Sequence, residues 1–362
     1  MPDGSGPSAK ARRMRKSSNS PHSRGSDGKQ ALAILRCEDH GNLAGVLTRL
    51  RSLLPSLLPV SLPRKVVIKP NLCDIVSWEA GVTTDPSWLT VLAAELRAIR
   101  PDVQIVVIES DAVSAYKNYR SCDETYDRLG YREVALQQGI ELVNLSKLES
   151  IEISMQGIPS PILISELFLE DFYFISIANL KVHPYERMTA ILKNSLGLLA
   201  DADISSLHPY LSLLISHLQR LCPADLCIVD GRIGLEGQGP ILGDPVRMNA
   251  IIFSTDALTA DVAACKLMKI RPEEVPHLVQ VAKDQGRNLP EVQIPVDIVP
   301  RSFGFNTPSH GAILLKFANR RFHRASELFT NRWIDRFLRF KREPLKFTTE
   351  AIPKLARRLH AR

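Results

Sequence analysis

The chain has little that would mark a metal, membrane or secreted protein. In 362 residues there is no run of eighteen apolar positions, which leaves no candidate for a membrane-spanning helix. Six cysteines (Cys37, Cys73, Cys122, Cys222, Cys227 and Cys265) make no C-x-x-C pair, so neither a zinc nor an iron–sulfur ligand set is present. No two histidines stand at i and i+4, and no H-E-x-x-H occurs. The basic N-terminal residues are followed by no hydrophobic segment, so no secretory signal is read. The thiols are therefore expected to be reduced and mostly buried, in a cytoplasmic protein.

What is there is unevenly charged. Of the net +7, residues 1–29 hold +5 and residues 311–362 hold +10, which leaves the body between them at −8. Residues 1–30 are rich in Ser, Gly, Pro and basic residues and are expected to stay disordered. Residues 31–305 form the expected folded domain. Residues 306–362 read as a basic amphipathic tail, with Phe322, Phe329, Trp333, Phe337 and Phe340 on an apolar stripe among arginines. Such a tail suits an anionic membrane surface or nucleic acid through residues 311–362, or the chain's own acidic body. Peripheral membrane association would follow from the first.

Within the body, short β-branched runs alternate with helical segments. Strands are expected at 31–35, 65–68, 103–108, 140–143, 174–177, 226–229, 248–254 and 294–299. Helices are expected at 43–54, from Pro86 to about Ile99, and at 123–138, 187–200, 207–221, 256–269 and 272–285. Residues 149–170 alternate apolar and polar, as antiparallel strands do. The pattern predicts an α/β fold, a mostly parallel sheet flanked by helices with a small antiparallel β element.

Four of the strands break into polar residues where they should end: Ile68 into Lys69-Pro70-Asn71, Ile108 into Glu109-Ser110-Asp111, Ile177 into Asn179-Leu180-Lys181-Val182-His183, and Val229 into Asp230-Gly231-Arg232. Open parallel sheets bind ligands outside the carboxyl ends of their strands, so these endings point to one shared site. Lys69, Lys181 and Lys193 suit the anionic groups of a substrate, with Asn71 and Asn194 to orient them. Lys193 shares a helical face with Thr189, Ala190, Gly197 and Ala200, small neighbours that let a ligand approach. His183 or Glu236 could transfer protons, and Asp230 could position a base or a divalent metal. The glycines of Gly231-Arg232-Ile233-Gly234-Leu235-Glu236-Gly237-Gln238-Gly239 fit neither dinucleotide nor P-loop spacing, but Gly237 and Gly239 could present backbone N–H groups to an anion. A tight hairpin is the other reading of the same glycines. Asp261, one turn into a helix, would need a partner to justify burial.

The blocks Ile68-Lys69-Pro70-Asn71-Leu72, Gly81-Val82-Thr83-Thr84-Asp85-Pro86, Asn179-Leu180-Lys181-Val182-His183, Leu192-Lys193-Asn194-Ser195-Leu196-Gly197, Asp230-Gly231 with Glu236-Gly237-Gln238-Gly239-Pro240, and Ser254-Thr255-Asp256 with Asp261 follow in one order. Together they resemble the domain-of-unknown-function 362 family over roughly residues 31–290. Many members carry ferredoxin-like Cys clusters beside this domain, which implies iron–sulfur partnership. This chain has no C-x-x-C-x-x-C, so no cluster is expected on it. The resemblance names no reaction.

Two classes of function remain from the sequence. One is an enzyme acting on a small phosphate- or carboxylate-bearing substrate. The other is a non-catalytic binding or adaptor protein docked through its basic tails, or an accessory to an external iron–sulfur redox partner. The sequence assigns no cofactor beyond the divalent-metal reading, and no oligomeric state.

Overall fold

A computed structural model describes residues 31–37, 57–113 and 119–305, with positions 43, 46, 49 and 51–53 between them. The strands are β1 (Leu32–Arg36), β2 (Lys65–Lys69), β3 (Gln104–Glu109), β4 (Ala112–Val113), β5 (Tyr119–Arg120), β6 (Glu141–Asn144), β7 (Ser150–Ile153), β8 (Ile162–Ser165), β9 (Tyr173–His183), β10 (Arg187–Thr189), β11 (Leu226–Glu236) and β12 (Asp244–Ser254). The helices are α1 (Ser87–Ile99), α2 (Cys122–Arg128), α3 (Tyr131–Gln138), α4 (Ile191–Asn194), α5 (Leu211–Leu221), α6 (Ala257–Leu267) and α7 (Pro276–Asp284).

The main sheet runs β1-β12-β11-β9-β2-β3-β6, with β10 on β9. Strands β11, β9, β2, β3 and β6 are mutually parallel, while β12 pairs antiparallel with both β11 and β1. β7 and β8 form the small antiparallel element that the alternation of residues 149–170 implied. This is an α/β fold with a mostly parallel sheet.

Near-continuous apolar strands are buried on both faces, and the alternation of side chains sorts them. Val67, Val106, Ile108, Phe174, Ala178, Val229 and Ile252 pack with α4 to α7. Val66, Ile68, Val107, Ile175, Ile177, Ile228 and Phe253 pack with α1 to α3. Each fully buried aliphatic side chain contributes about 1.5–3 kcal/mol, so these two layers supply most of the driving force. Among the described residues no helix is long and apolar enough to cross a membrane.

Three expectations change in the structure. Residues 294–299 form no strand, because Pro295 lies inside the run between Pro290 and Pro300 and proline has no N–H for a ladder. The helix expected over 187–200 begins only at Ile191, after β10 pairs back onto β9, and tightens to a 3₁₀ turn at Ser195–Leu198. Arg187 has φ +60°, which no helix accepts. The helix expected over 123–138 breaks at Gly130, φ +79°, into α2 and α3. The tails at 1–30 and 306–362 lie outside the described residues, as does half of the segment expected to be helical at 43–54; its described positions up to 53 are helical.

Candidate functional site

The odd-numbered face of β9 changes character along its length: Tyr173, Ile175 and Ile177 are apolar, then Asn179, Lys181 and His183 are polar. All six are buried. The change falls where β9 outruns β2, whose last register partner is Ser176 opposite Lys69. The loop from Pro70 to Asp85 covers the opening. Thr84 Oγ1 accepts from the Asn71 N–H (2.9 Å) and reaches Asn179 Oδ1 (3.2 Å), while Asn179 Nδ2 donates to Thr83 O (3.0 Å). Gly81 sits in this loop at φ +72°, and a Cβ there would lie 2.5 Å from Gly234 O, so only glycine closes the loop onto β11.

Most of the sequence-predicted anion-binding groups are brought together here, and they hold one another. Lys69 Nζ donates to both carboxylate oxygens of Glu109 (2.9 and 2.9 Å) and to Pro70 O (3.1 Å). Lys181 Nζ donates to Val82 O (2.8 Å), to Asn71 Oδ1 and to Cys73 Sγ (3.2 Å). Asn71 Nδ2 donates to Asn194 Oδ1 (3.3 Å), and Asn194 Nδ2 reaches Lys69 O, Ser176 Oγ and Ile177 O. An ammonium has three protons, so both lysines are fully engaged. They differ in charge balance. Lys69 faces a carboxylate, whereas Lys181, 1% exposed, has only uncharged oxygens and a thiol around it among the described residues.

Asp230 belongs to a second cluster. Its oxygens accept from Trp88 Nε1 (2.8 Å) and from Arg232 Nε and Nη2 (3.0 and 2.7 Å), and Arg232 Nη2 also reaches Asp85 (2.9 Å). The guanidinium carbon lies 4.7 Å from the Trp78 ring centroid. Burial works against the Arg232 cation, but the two carboxylates outweigh it and raise its pKa above the ordinary value. Glu236 is set apart from both clusters in its contacts, accepting from Gly304 N (2.8 Å) and Arg301 Nη2 (3.2 Å). Gly237 spends its N–H on Gly304 O (2.8 Å). Gly239 packs so closely on β9 that a Cβ would lie 2.3 Å from Val182 O. Among the described residues no three His, Cys, Asp or Glu side chains gather as a metal ion would need.

Two groups are left unspent. Lys193, partly buried, makes no hydrogen bond or ion pair to any described residue. Burial first, and the nearby Lys181 charge second, lower its pKa to about 8. His183 accepts the backbone N–H groups of Tyr185 (3.3 Å) and Glu186 (3.1 Å) at Nδ1, which places the ring proton on Nε2. Burial, then the Lys193 charge, hold its pKa well below the usual imidazole value, so the ring is a neutral donor at pH 7. The Tyr185 ring lies 5.9 Å from that of His183 and 6.3 Å from that of His208, walling one side.

A cavity of about 550 Å³ lies elsewhere, lined by Lys65, Glu141, Glu166 and Glu170 among others. It opens where β2, β6 and β9 begin, opposite to the strand ends that ligands use in such sheets. It contains no residue of the two clusters, nor Lys193 or His183.

Comparison with known proteins places the chain in a family. The family described as Domain of unknown function (DUF362) matches residues 66–266, more than half of the chain. The chain belongs to the DUF362 family. The matched span takes in every residue of the two clusters, together with Lys193, His183 and Asp261. No curated protein matches this DUF362 chain. Among solved structures it is similar to the lactate racemase apoprotein from Thermoanaerobacterium thermosaccharolyticum, at 11% identity and a TM-score of 0.39, over 70% of this chain and 59% of that one. The DUF362 chain thus spans less than two thirds of that protein.

Four participants were missed from the sequence. Arg232 was passed over as part of a glycine turn, although a lone Arg between strand residues Asp230 and Ile233 must find carboxylates once buried. Cys73 stood out only as one of six thiols. Glu186 and His277 carry no motif, and only the fold brings them together, with a Glu186 carboxylate oxygen 3.0 Å from His277 Nδ1.

Proposed function

We propose that the protein is an enzyme acting on a small anionic substrate, a carboxylate or phosphate compound held at the strand ends by Lys193 and His183 in the field of Lys181. The observation that carries this reading is Lys181, a buried cation with no carboxylate within ion-pair distance among the described residues, near a second cation, Lys193, that makes no hydrogen bond or ion pair to any of them. Burying charge without compensation is costly, and an anion entering the crevice offsets it. In this reading Lys69, Asn71 and Asn194 are the frame and not the contact surface. Asp230 holds Arg232 and the loop.

The same residues support catalysis as well as binding. An amine with a pKa near 8 exchanges its proton close to neutrality, the range in which acid–base groups work best. His183 offers Nε2–H to a developing negative charge without itself ionising.

The test is Lys193→Met, with inorganic phosphate and acetate as probes in calorimetric titration. A charge-assisted hydrogen bond contributes about 1.5–3 kcal/mol, so binding should weaken roughly 10- to 150-fold. The sign for stability runs the other way. With a folded pKa lowered to about 8 from 10.5, the unfolded chain binds more protons between those values, so the cation's cost to the fold is fully present below pH 8. At pH 7 the variant should therefore melt no lower than the wild type. A lower Tm, or failure of both anions to bind the wild type, overturns the reading.

A further inference from the structure

Behind the crevice lies a buried line of polar groups that neither cluster uses. Glu186, in the turn between β9 and β10, donates its N–H to His183 Nδ1 at 3.1 Å. Its carboxylate accepts from Ser212 Oγ (2.9 and 3.1 Å), from the His277 N–H (3.0 Å) and from His277 Nδ1 (3.0 Å). The other ring nitrogen of His277 faces Asp261 Oδ2 at 3.8 Å, an ion-pair distance too long for a hydrogen bond. Asp261 in turn accepts the N–H groups of Ile191 (2.8 Å) and Leu192 (3.0 Å), the first two residues of α4. The next residue is Lys193. His277 and Asp261 are fully buried and Glu186 is 4% exposed.

We propose that Glu186, His277 and Asp261 form a buried positioning chain that fixes His183 and Lys193 relative to one another. It rests on the reading that those two residues meet the substrate. At one end it sets the ring plane and tautomer of His183. At the other it decides where α4 starts, and so where the Lys193 side chain leaves the backbone. Without Asp261 the first N–H groups of α4 would be buried donors with no acceptor.

The ring of His277 must carry both protons for this to hold. Each of its nitrogens faces a carboxylate oxygen, and a neutral ring would turn a lone pair toward one of them. Two buried carboxylates with no cation between them would also be far costlier. Burial pushes the His277 pKa down, but Asp261 and Glu186 outweigh it and hold it above the ordinary 6.5. For Glu186, burial works upward and the His277 hydrogen bonds bring the net pKa below the ordinary value. The charged and titratable groups that face the ring are Glu186 from the turn, Asp261 from α6 and His183 from β9, and α5 contributes Ser212, which donates to Glu186.

The experiment needs no ligand. In wild-type protein at pH 7, ¹⁵N–¹H correlation of the histidine rings should show His277 with both nitrogens protonated and His183 with Nε2 alone. A neutral His277 overturns the proposal whether or not any variant folds. In His277→Gln, loss of the ring cation leaves the Glu186 charge uncompensated beside Lys193. The midpoint for acetylation of Lys193, read by mass spectrometry against pH, should then rise from about 8 by at least about half a unit. The His183 ring signals should shift with it. A merely structural His277 would lower Tm and leave both readouts in place, and that result also overturns the proposal. Because no anion is present, these outcomes are separate from those of the phosphate and acetate titrations.

Discussion

Arg232→Met should destabilise the domain by about 3–5 kcal/mol, a large part of what such a fold has to spare, and urea denaturation would measure it. The loss comes from what remains behind. Asp85 and Asp230, 5% and 3% exposed, would face each other with no cation between them. Trp88 Nε1 and the backbone N–H of residue 232 would still donate to Asp230, and the Ser87 N–H to Asp85, but these neutral donors do not replace a cation shared by two buried carboxylates. Lysine should rescue little, since a point charge cannot reproduce the fork that reaches both acids or lie flat against Trp78. Replacing all three charges together, Asp85→Asn and Asp230→Asn with Arg232→Met, should recover most of the loss. If the single variant instead keeps wild-type stability, the cluster is not a closed electrostatic unit.

The second large effect is expected at Lys69→Met, about 3 kcal/mol by the same measurement. Glu109 is 5% exposed and would lose both contacts to the ammonium, keeping the N–H groups of Ser110 (3.1 Å) and Leu72 (3.3 Å). Those two donors place the loss at the lower end of the range. The surroundings cannot close in to compensate. A Cβ on Gly197 would already lie 2.5 Å from Glu109 Oε1 and 2.6 Å from Lys69 Nζ, so the 3₁₀ turn after α4 rests directly on the ion pair. A near-wild-type Lys69→Met would show that the frame tolerates an unpaired acid and would weaken the division between framing and contacting lysines.

What could be read from the sequence follows from the range of the interactions. The strands of the parallel sheet are set by local apolar runs, and their polar endings mark the site because that signal too is local. Asp261 was legible as a buried carboxylate wanting a partner. The partner was not, because the Ile191 and Leu192 N–H groups lie about seventy positions away and only the packing of α4 on α6 presents them. A still longer separation of 91 positions hid His277 from Glu186. The extent of β10 and the late start of α4 were misjudged because the periodicity of residues 187–200 suits a helix, and tertiary pairing of Arg187–Thr189 with β9 overrides it. Which lysine remains available could not be decided from strand endings at all. Lys69, Lys181 and Lys193 look alike in sequence, and only the acceptors around each nitrogen distinguish them.

Cys73 has a practical consequence. Five of the six thiols are buried, and Cys73 alone is half-open, with its sulfur 3.2 Å from the Lys181 ammonium. Alkylating reagents should therefore react at one place in the folded chain, at the mouth of the crevice, and leave the core untouched. A fluorophore placed there needs no engineered cysteine and sits against the cation whose compensation by an anion is in question. Protection of that single sulfur from a maleimide would turn a search through candidate compounds into a reading of one labelling rate.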